Sequence, residues 1–192
     1  MHKGIVSLVF AGVVFGLSIA APVRAADNYA IDPAHAAVSF KISHIGLSWT
    51  HGRFNDLSGG FTIDPADAAK CSFEMKIKAD SVDTGNAQRD THLKSPDFFN
   101  VKQFPALTFK STSVKAVKDG YEVKGDLSLH GVSKEVTLNL VGGRKAEFPK
   151  GVQRTGYSGE LTIKRSDFGM DKLAEAIGDE VYISVSFEGT KK

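Results

Sequence analysis

A single cysteine, Cys71, serves a chain of 192 residues, which excludes an intrachain disulfide and leaves stability to packing. An excess of one charge is missing too. The formal net charge of +2 is carried by Lys3 and Arg24 near the N-terminus; beyond them basic and acidic residues balance. The basic balance of the whole chain therefore says nothing about nucleic acid. No cluster of Lys or Arg interleaved with aromatics supplies the electrostatic footprint of a nucleic-acid surface.

Several chemical motifs are absent as well. There is no Gly-x-Ser-x-Gly elbow to present a nucleophilic serine, and no Gly-rich phosphate cradle. The histidines are His2, His35, His44, His51, His92 and His130, and none has the His-x-x-x-His or Glu-x-x-His spacing of a dedicated metal site. A turn near Trp49 leaves His44 and His51 within reach of each other as one alternative, but exposed or hydrogen-bonded histidines are the expected reading. Asp80, Asp83, Asp90 and Asp97 lie in one polar stretch with Arg89 and Lys94. Paired carboxylates serve acid–base catalysis, but among basic residues on a loop they read as turn-formers, caps and ion pairs.

The one long apolar run lies at the N-terminus. A short positive start, an uncharged run from Ile5 to Ala21 and Val23-Arg24-Ala25 at the expected cut read as a signal peptide over residues 1–25, cleaved after Ala25. A spanning helix wants about 20 consecutive apolar residues, and this run is interrupted by Gly12, Gly16, Ser18 and Pro22. The expected product is an exported, periplasmic domain over residues 26–192, of a size that builds one substantial core.

What is abundant is alternation. Cys71, Phe73, Met75 and Ile77 alternate with Ser72, Glu74, Lys76 and Lys78, which puts apolar side chains on one face of a strand and polar ones on the other. Cys71 thereby reads as a buried small hydrophobe. The pattern returns from Val38 to Ile42, Tyr121 to Leu129, Val136 to Leu140, Tyr157 to Ile163 and Val181 to Phe187. Shorter candidates lie at Tyr29–Ile31, Gly52–Phe54, Phe61–Ile63 and Leu107–Phe109. Asp119-Gly120 and His130-Gly131 supply tight turns between neighbours, and Gly59-Gly60 suggests a bend or bulge. Such short links favour antiparallel pairing.

Three stretches break the pattern. Residues 86–104 predict a short helical excursion with a turn at Pro96. Residues 171–177 predict a second helical segment stopped by Gly178, and residues 142–156 predict a loop. About eight amphipathic strands form either a sandwich or a closed barrel. An outer-membrane barrel turns its apolar face to lipid; here the polar faces are rich in Lys and Glu and no aromatic girdles flank the strands. A small barrel is filled by its own side chains or keeps room for one ligand. Gly125, Gly159 and Ser111, in phase with large apolar residues, are the positions where a slot is expected if there is one. Periodicity leaves the filled core and the slot open.

Longer motifs go further. Ser81-Val82-Asp83-Thr84, then Gln88-Arg89-Asp90-Thr91-His92-Leu93-Lys94-Ser95-Pro96-Asp97-Phe98-Phe99-Asn100 and Phe104-Pro105-Ala106-Leu107-Thr108-Phe109 resemble the signature of the YceI family of periplasmic polyisoprenoid-binding proteins. Phe40-Lys41-Ile42-Ser43-His44-Ile45-Gly46, Gly125-Asp126-Leu127-Ser128-Leu129-His130-Gly131 and Arg165-Ser166-Asp167-Phe168-Gly169-Met170 extend the likeness over the exported part. The resemblance implies an all-β, antiparallel up-and-down, lipocalin-like barrel of about eight strands with one or two short helices. Its lumen would take an isoprenoid lipid, in a binding rather than catalytic role, often in a homodimer, with no metal ion and no cofactor besides the lipid.

The lumen residues it implies are Phe40, Ile42 and Phe61 from the first part of the chain, and Phe73, Met75 and Ile77 from the next strand. Phe98 and Phe99 come from the helical excursion and Phe109, Leu127, Leu129 and Leu138 from the middle strands, with Leu161, Ile183 and Val185 from the last two. His44, Arg89, Asp90, His92 and Asp167 are the head-group candidates. The chain departs from many relatives at Ala146-Glu147-Phe148-Pro149-Lys150-Gly151, where they carry a Trp-Gly loop expected to shape an entrance. The particular lipid stays open among a quinone, a quinone precursor, a polyprenyl phosphate and a fatty amide.

Overall fold

The structure, a computed structural model, describes residues 25–192; the expected signal peptide lies outside them but for its last residue. The described chain is a meander of antiparallel strands. In order come β1 (Asp27–His44), β2 (Ser48–Phe54), β3 (Leu57–Ile63), β4 (Ser72–Lys78), β5 (Val82–Asp83), helix α1 (Ala87–Lys94), β6 (Ala106–Val117), β7 (Gly120–Leu129), β8 (Val132–Glu147), β9 (Gln153–Lys164) and β10 (Ile177–Lys191).

Each strand from β6 to β10 pairs with the next, β3 and β4 complete the wall, and β10 returns to β1 along most of its length, with Val38 opposite Val185 and Tyr29 opposite Lys191. The result is a closed eight-staved barrel, which leaves few free edges. Two staves are broken. The first half of β1 pairs with β3 and the second half with β2, so β2 and β3 act as one bent strand; β5 extends β4 in the same way along β2.

The alternation is realised as in and out. On β4, Phe73 and Met75 are buried, whereas Ser72, Glu74, Lys76 and Lys78 are exposed. The barrel thus presents Lys and Glu outside and hydrocarbon inside, the reverse of an outer-membrane barrel. Cys71 is buried at the start of this strand, its Sγ 3.3 Å from the Asp64 backbone N–H.

Two of the three non-strand expectations are corrected. Residues 142–156 are mostly strand: β8 runs on to Glu147 and β9 starts at Gln153, leaving only five residues of loop. A register shift between Gly142 and Lys145 inserts extra chain, which shifts the two-residue phase and hides the alternation from the sequence. Residues 171–177 form turns rather than a helix. The carbonyls of Met170, Lys172, Ile177 and Gly178 all accept from the Arg165 guanidinium at 2.6–3.0 Å, and this tertiary demand outcompetes a helical ladder only seven residues long. The 86–104 excursion does contain a helix, with Asn86 accepting from the Arg89 backbone N–H at its N-terminus as a good cap does.

Candidate functional site

The barrel interior divides along its axis. At the end where β1 starts and β10 stops, six rings fill the lumen. Tyr29 stacks on Phe61 with centroids 4.9 Å apart, Phe61 on Phe73 at 5.7 Å, and Tyr157 meets both Phe61 and Phe73 edge-on at 5.7 Å. Phe187 and Tyr121 close around them. Burial pushes the Tyr121 hydroxyl up to about 12, so the ring stays neutral at any physiological pH. Phe73 and Phe187 are 1% exposed. This end is a plug.

The other end holds a cavity of about 660 Å³, well within the range of small-molecule sites. Its walls are Val38, Phe40 and Ile42 of β1, Met75 and Ile77 of β4, Leu107 and Phe109 of β6, Leu127 and Leu129 of β7, Leu138 of β8, Leu161 and Ile163 of β9, and Val181, Ile183 and Val185 of β10. The wall from Val38 to His44 spans about 20 Å of strand at roughly 3.3 Å per residue. Leu93, Phe98 and Phe99, carried by α1 and the loop after it, and Leu173, Ala176 and Ile177 from the 171–177 turn, lie across the top. His44, Arg89 and His92 line the cavity and are exposed to solvent, so it opens at this end.

The mouth is built by local hydrogen bonding. Thr84 ties it together: its hydroxyl donates to Asp90 at 2.6 Å and accepts from Arg89 Nε at 2.7 Å, while Arg89 Nη2 donates to its carbonyl at 2.9 Å. His92 Nε2 lies 3.0 Å from Asp97, and Lys172 stands 4.0 Å from the same carboxylate, so Asp97 spans from the α1 loop to the 171–177 turn. His92 and Lys172 hold the Asp97 carboxyl below its usual range, the histidine bond contributing most. On the opposite rim, the Ile45 backbone N–H donates to the Ala176 carbonyl at 2.7 Å.

Thirteen of the fifteen implied lumen residues line the cavity; Phe61 and Phe73 do not, because they belong to the plug. Among the head-group candidates His44, Arg89 and His92 are at the cavity and Asp90 and Asp167 are not. Asp90 is spent on Thr84, and Asp167 is exposed on the short 3-10 turn Arg165–Phe168. His44 and His51 do not approach each other: Lys41 pairs with His51 while His44 pairs with Ser48, so strand parity sends His51 to the outer face and His44 to the inner one. The other aspartates of the polar stretch act structurally, Asp83 accepting from the Gly85 N–H and from Asn55 Nδ2.

The expected small-residue slot is also corrected. A Cβ on Gly125 would stand 2.6 Å from Phe109 Cζ, and one on Gly159 would stand 3.1 Å from Leu138 Cδ1 and Leu140 Cδ2. The space left by these glycines is therefore taken by neighbours' side chains. Ser111 spends its hydroxyl on the Phe73 N–H at 2.9 Å. The cavity comes instead from a change of residue type along the barrel, from aromatic rings to aliphatic chains. The 146–151 segment, expected to shape an entrance, lies beside the plug, at the end away from the mouth.

Sequence reading missed Arg165. It is 4% exposed and lines the cavity. A signal was present: Leu161, Ile163 and Arg165 share one parity, so a charge falls on an otherwise apolar face. Among the described residues no group of three His, Cys, Asp or Glu is gathered so as to hold a metal ion, and no helix is long and apolar enough to cross a membrane.

Comparison with known proteins places this geometry. A model of the YceI-like domain matches residues 29–189. Protein YceI of Escherichia coli is 40% identical over 196 residues, covering all of both chains. Among solved structures, BcnA of Burkholderia cenocepacia superposes with a TM-score of 0.75 at 28% identity, over 82% of this chain and 98% of that one. A polyisoprenoid binding domain from Saccharophagus degradans has the same fold, with a TM-score of 0.66 at 21% identity over 85% and 98% of the two chains.

Proposed function

The chain belongs to the YceI-like family, and from that premise we propose that it is a periplasmic carrier or reservoir that holds the hydrocarbon tail of an isoprenoid lipid inside its barrel. The observation that carries this reading is the cavity, about 660 Å³, walled by aliphatic side chains, stopped by the aromatic plug and open at the other end. Each CH₂ that leaves water for such a wall contributes about 0.8 kcal/mol, so a long tail gains affinity without any directional contact. Polar groups are concentrated at the mouth, where a head group would sit. The family likeness and the polyisoprenoid-binding character of the Saccharophagus degradans domain, which shares the fold, support the choice of a prenyl tail. The apolar run at the N-terminus supports export through a cleaved signal peptide.

The test is mass spectrometry of organic extracts from the protein purified out of its native envelope. A prenyl-chain lipid that co-purifies, and is lost when the cavity is blocked, is the expected result. Absence of any lipid, together with no uptake of added prenyl chains, overturns the reading.

A further inference from the structure

We propose that the cavity selects a lipid with an anionic head group, a phosphate or carboxylate, which Arg89 and Arg165 bind from two sides of the mouth. The proposal rests on the prenyl-tail reading and adds the chemistry of the other end of the ligand.

The observation is an asymmetry of charge. The chain carries 22 Asp and Glu residues, and not one of them lines the cavity, whereas Arg89, Arg165, His44 and His92 do. His92 is already paired with Asp97; in a wall of low polarity a charge is weakly screened, so the two guanidinium groups give this end of the lumen a positive field.

Arg165 makes the case strongest. It is 4% exposed, and four of its donors go to the carbonyls of Gly178, Met170, Lys172 and Ile177. Among the described residues it has no carboxylate within ion-pair distance. Asp179 feels its charge from beyond that distance but is itself hydrogen-bonded to the Ser166 N–H and hydroxyl, and burying a cation without a directly bonded counter-ion is expensive. A guanidinium offers five N–H donors, so one on Nη2 is left over. An acceptor with negative charge supplies both a directly bonded counter-ion and the missing bond.

Arg89 repeats the arrangement at the rim. Its Nε and Nη2 are fixed on Thr84, Nη1 makes no bond within the described chain, and the neighbouring Asp90 is engaged by Thr84 rather than by the guanidinium. Two guanidinium groups anchored by their neighbours, each keeping a free donor, form a preorganised oxyanion clamp above a hydrocarbon slot.

The test compares ligands that share one tail. Equilibrium binding of tritiated geranylgeranyl monophosphate and geranylgeraniol to the purified protein is measured at low salt, with inorganic phosphate as competitor. The phosphate is expected to bind roughly 10- to 100-fold tighter than the alcohol, the advantage of charge-assisted bonds. Arg89→Gln should remove about tenfold of that advantage and leave the alcohol unchanged, Arg89→Lys should keep part of it, and Lys150→Gln, beside the plug, should change neither ligand.

Arg165→Met, checked for folding by circular dichroism, should reduce the discrimination further; Arg89→Gln carries the test if that variant does not fold. Equal affinity for phosphate and alcohol in the unaltered protein overturns the head-group proposal while leaving the tail reading intact. So does a loss in Arg89→Gln that is the same for both lipids, which marks a structural role. Inorganic phosphate binding as tightly as the lipid phosphate overturns it too, since the site would then belong to the free anion. Binding of neither lipid overturns this proposal and the tail reading together.

Discussion

The two ends of the barrel are made from the same strands with the same alternation, yet one is solid and the other hollow. Along β4, Phe73 stacks in the plug while Met75 and Ile77 line the cavity; along β10, Phe187 belongs to the plug and Val185, Ile183 and Val181 to the cavity. Backbone and register do not change between these positions. Side-chain volume does. Six rings meeting at 4.9–6.5 Å occupy a cross-section that aliphatic chains leave partly empty. The comparison teaches that stability and binding are assigned to different lengths of the same staves, so that room for a ligand costs the core little.

The largest break in that comparison is expected from cutting into the plug. Phe73→Ala removes a fully buried ring that touches Phe61, Tyr121, Tyr157 and Phe187, and a truncation of this kind costs about 3–5 kcal/mol. Leu127→Ala, on the cavity wall, should cost about 1 kcal/mol, because part of that side chain already faces empty space and loses few contacts. Urea melts of the two variants measure the difference; equal losses would mean that the hollow end is packed as tightly as the plug.

A smaller effect with the opposite distribution is expected from filling the hollow end. Leu161→Trp puts a large ring into the cavity where there is space to receive it, so uptake of prenyl lipid should fall at least about tenfold, or 1.4 kcal/mol, while the urea midpoint moves by less than 1 kcal/mol equivalent. Lipid retention in this variant at the level of the unaltered protein would place the ligand elsewhere.

How far each end was readable from sequence follows from the same division. Alternation located nearly every strand and the inward face, since a half-buried strand writes its burial in a period of two. It failed where the period slipped, at Gly142 to Lys145, and where a tertiary partner overrode local preference, as Arg165 does at 171–177. It also could not separate plug from cavity, because Phe61 and Phe73 have the same parity and hydrophobicity as residues that line the void. Which rings meet across the lumen is set by pairs far apart in sequence, such as Phe61 with Phe187. The glycines were misread for a related reason: a missing side chain marks a slot only if no neighbour leans into it, and Phe109 leans onto Gly125. Of the site, the aliphatic walls and three of five mouth residues were legible; Arg165 was visible as a charge on an apolar face, but its hydrogen bonds were not.

The smallest expected effect concerns pH and sharpens the contrast again. The plug end is closed by charge pairs: Asp27, buried, lies 2.7 Å from Lys145 and 2.8 Å from Lys191, and hydrogen bonds from these two lysines lower its carboxyl to about 2. Asp32, bonded by Arg154 first and His35 second, is also lowered to about 2. In the unfolded chain such groups titrate near 3.8, so between the two values the unfolded state binds more protons than the folded one and stability rises with pH. The contribution is therefore complete above about pH 5 and is lost as pH falls through 4 towards 2. Asp27→Asn should flatten that part of the acid limb at a cost of about 1 kcal/mol at neutral pH, a figure kept low because the lysine heads are partly solvated. Thermal melts from pH 7 to pH 2 read both changes. An acid limb unchanged in Asp27→Asn would show that the Asp27 pairs contribute nothing to holding the plug end.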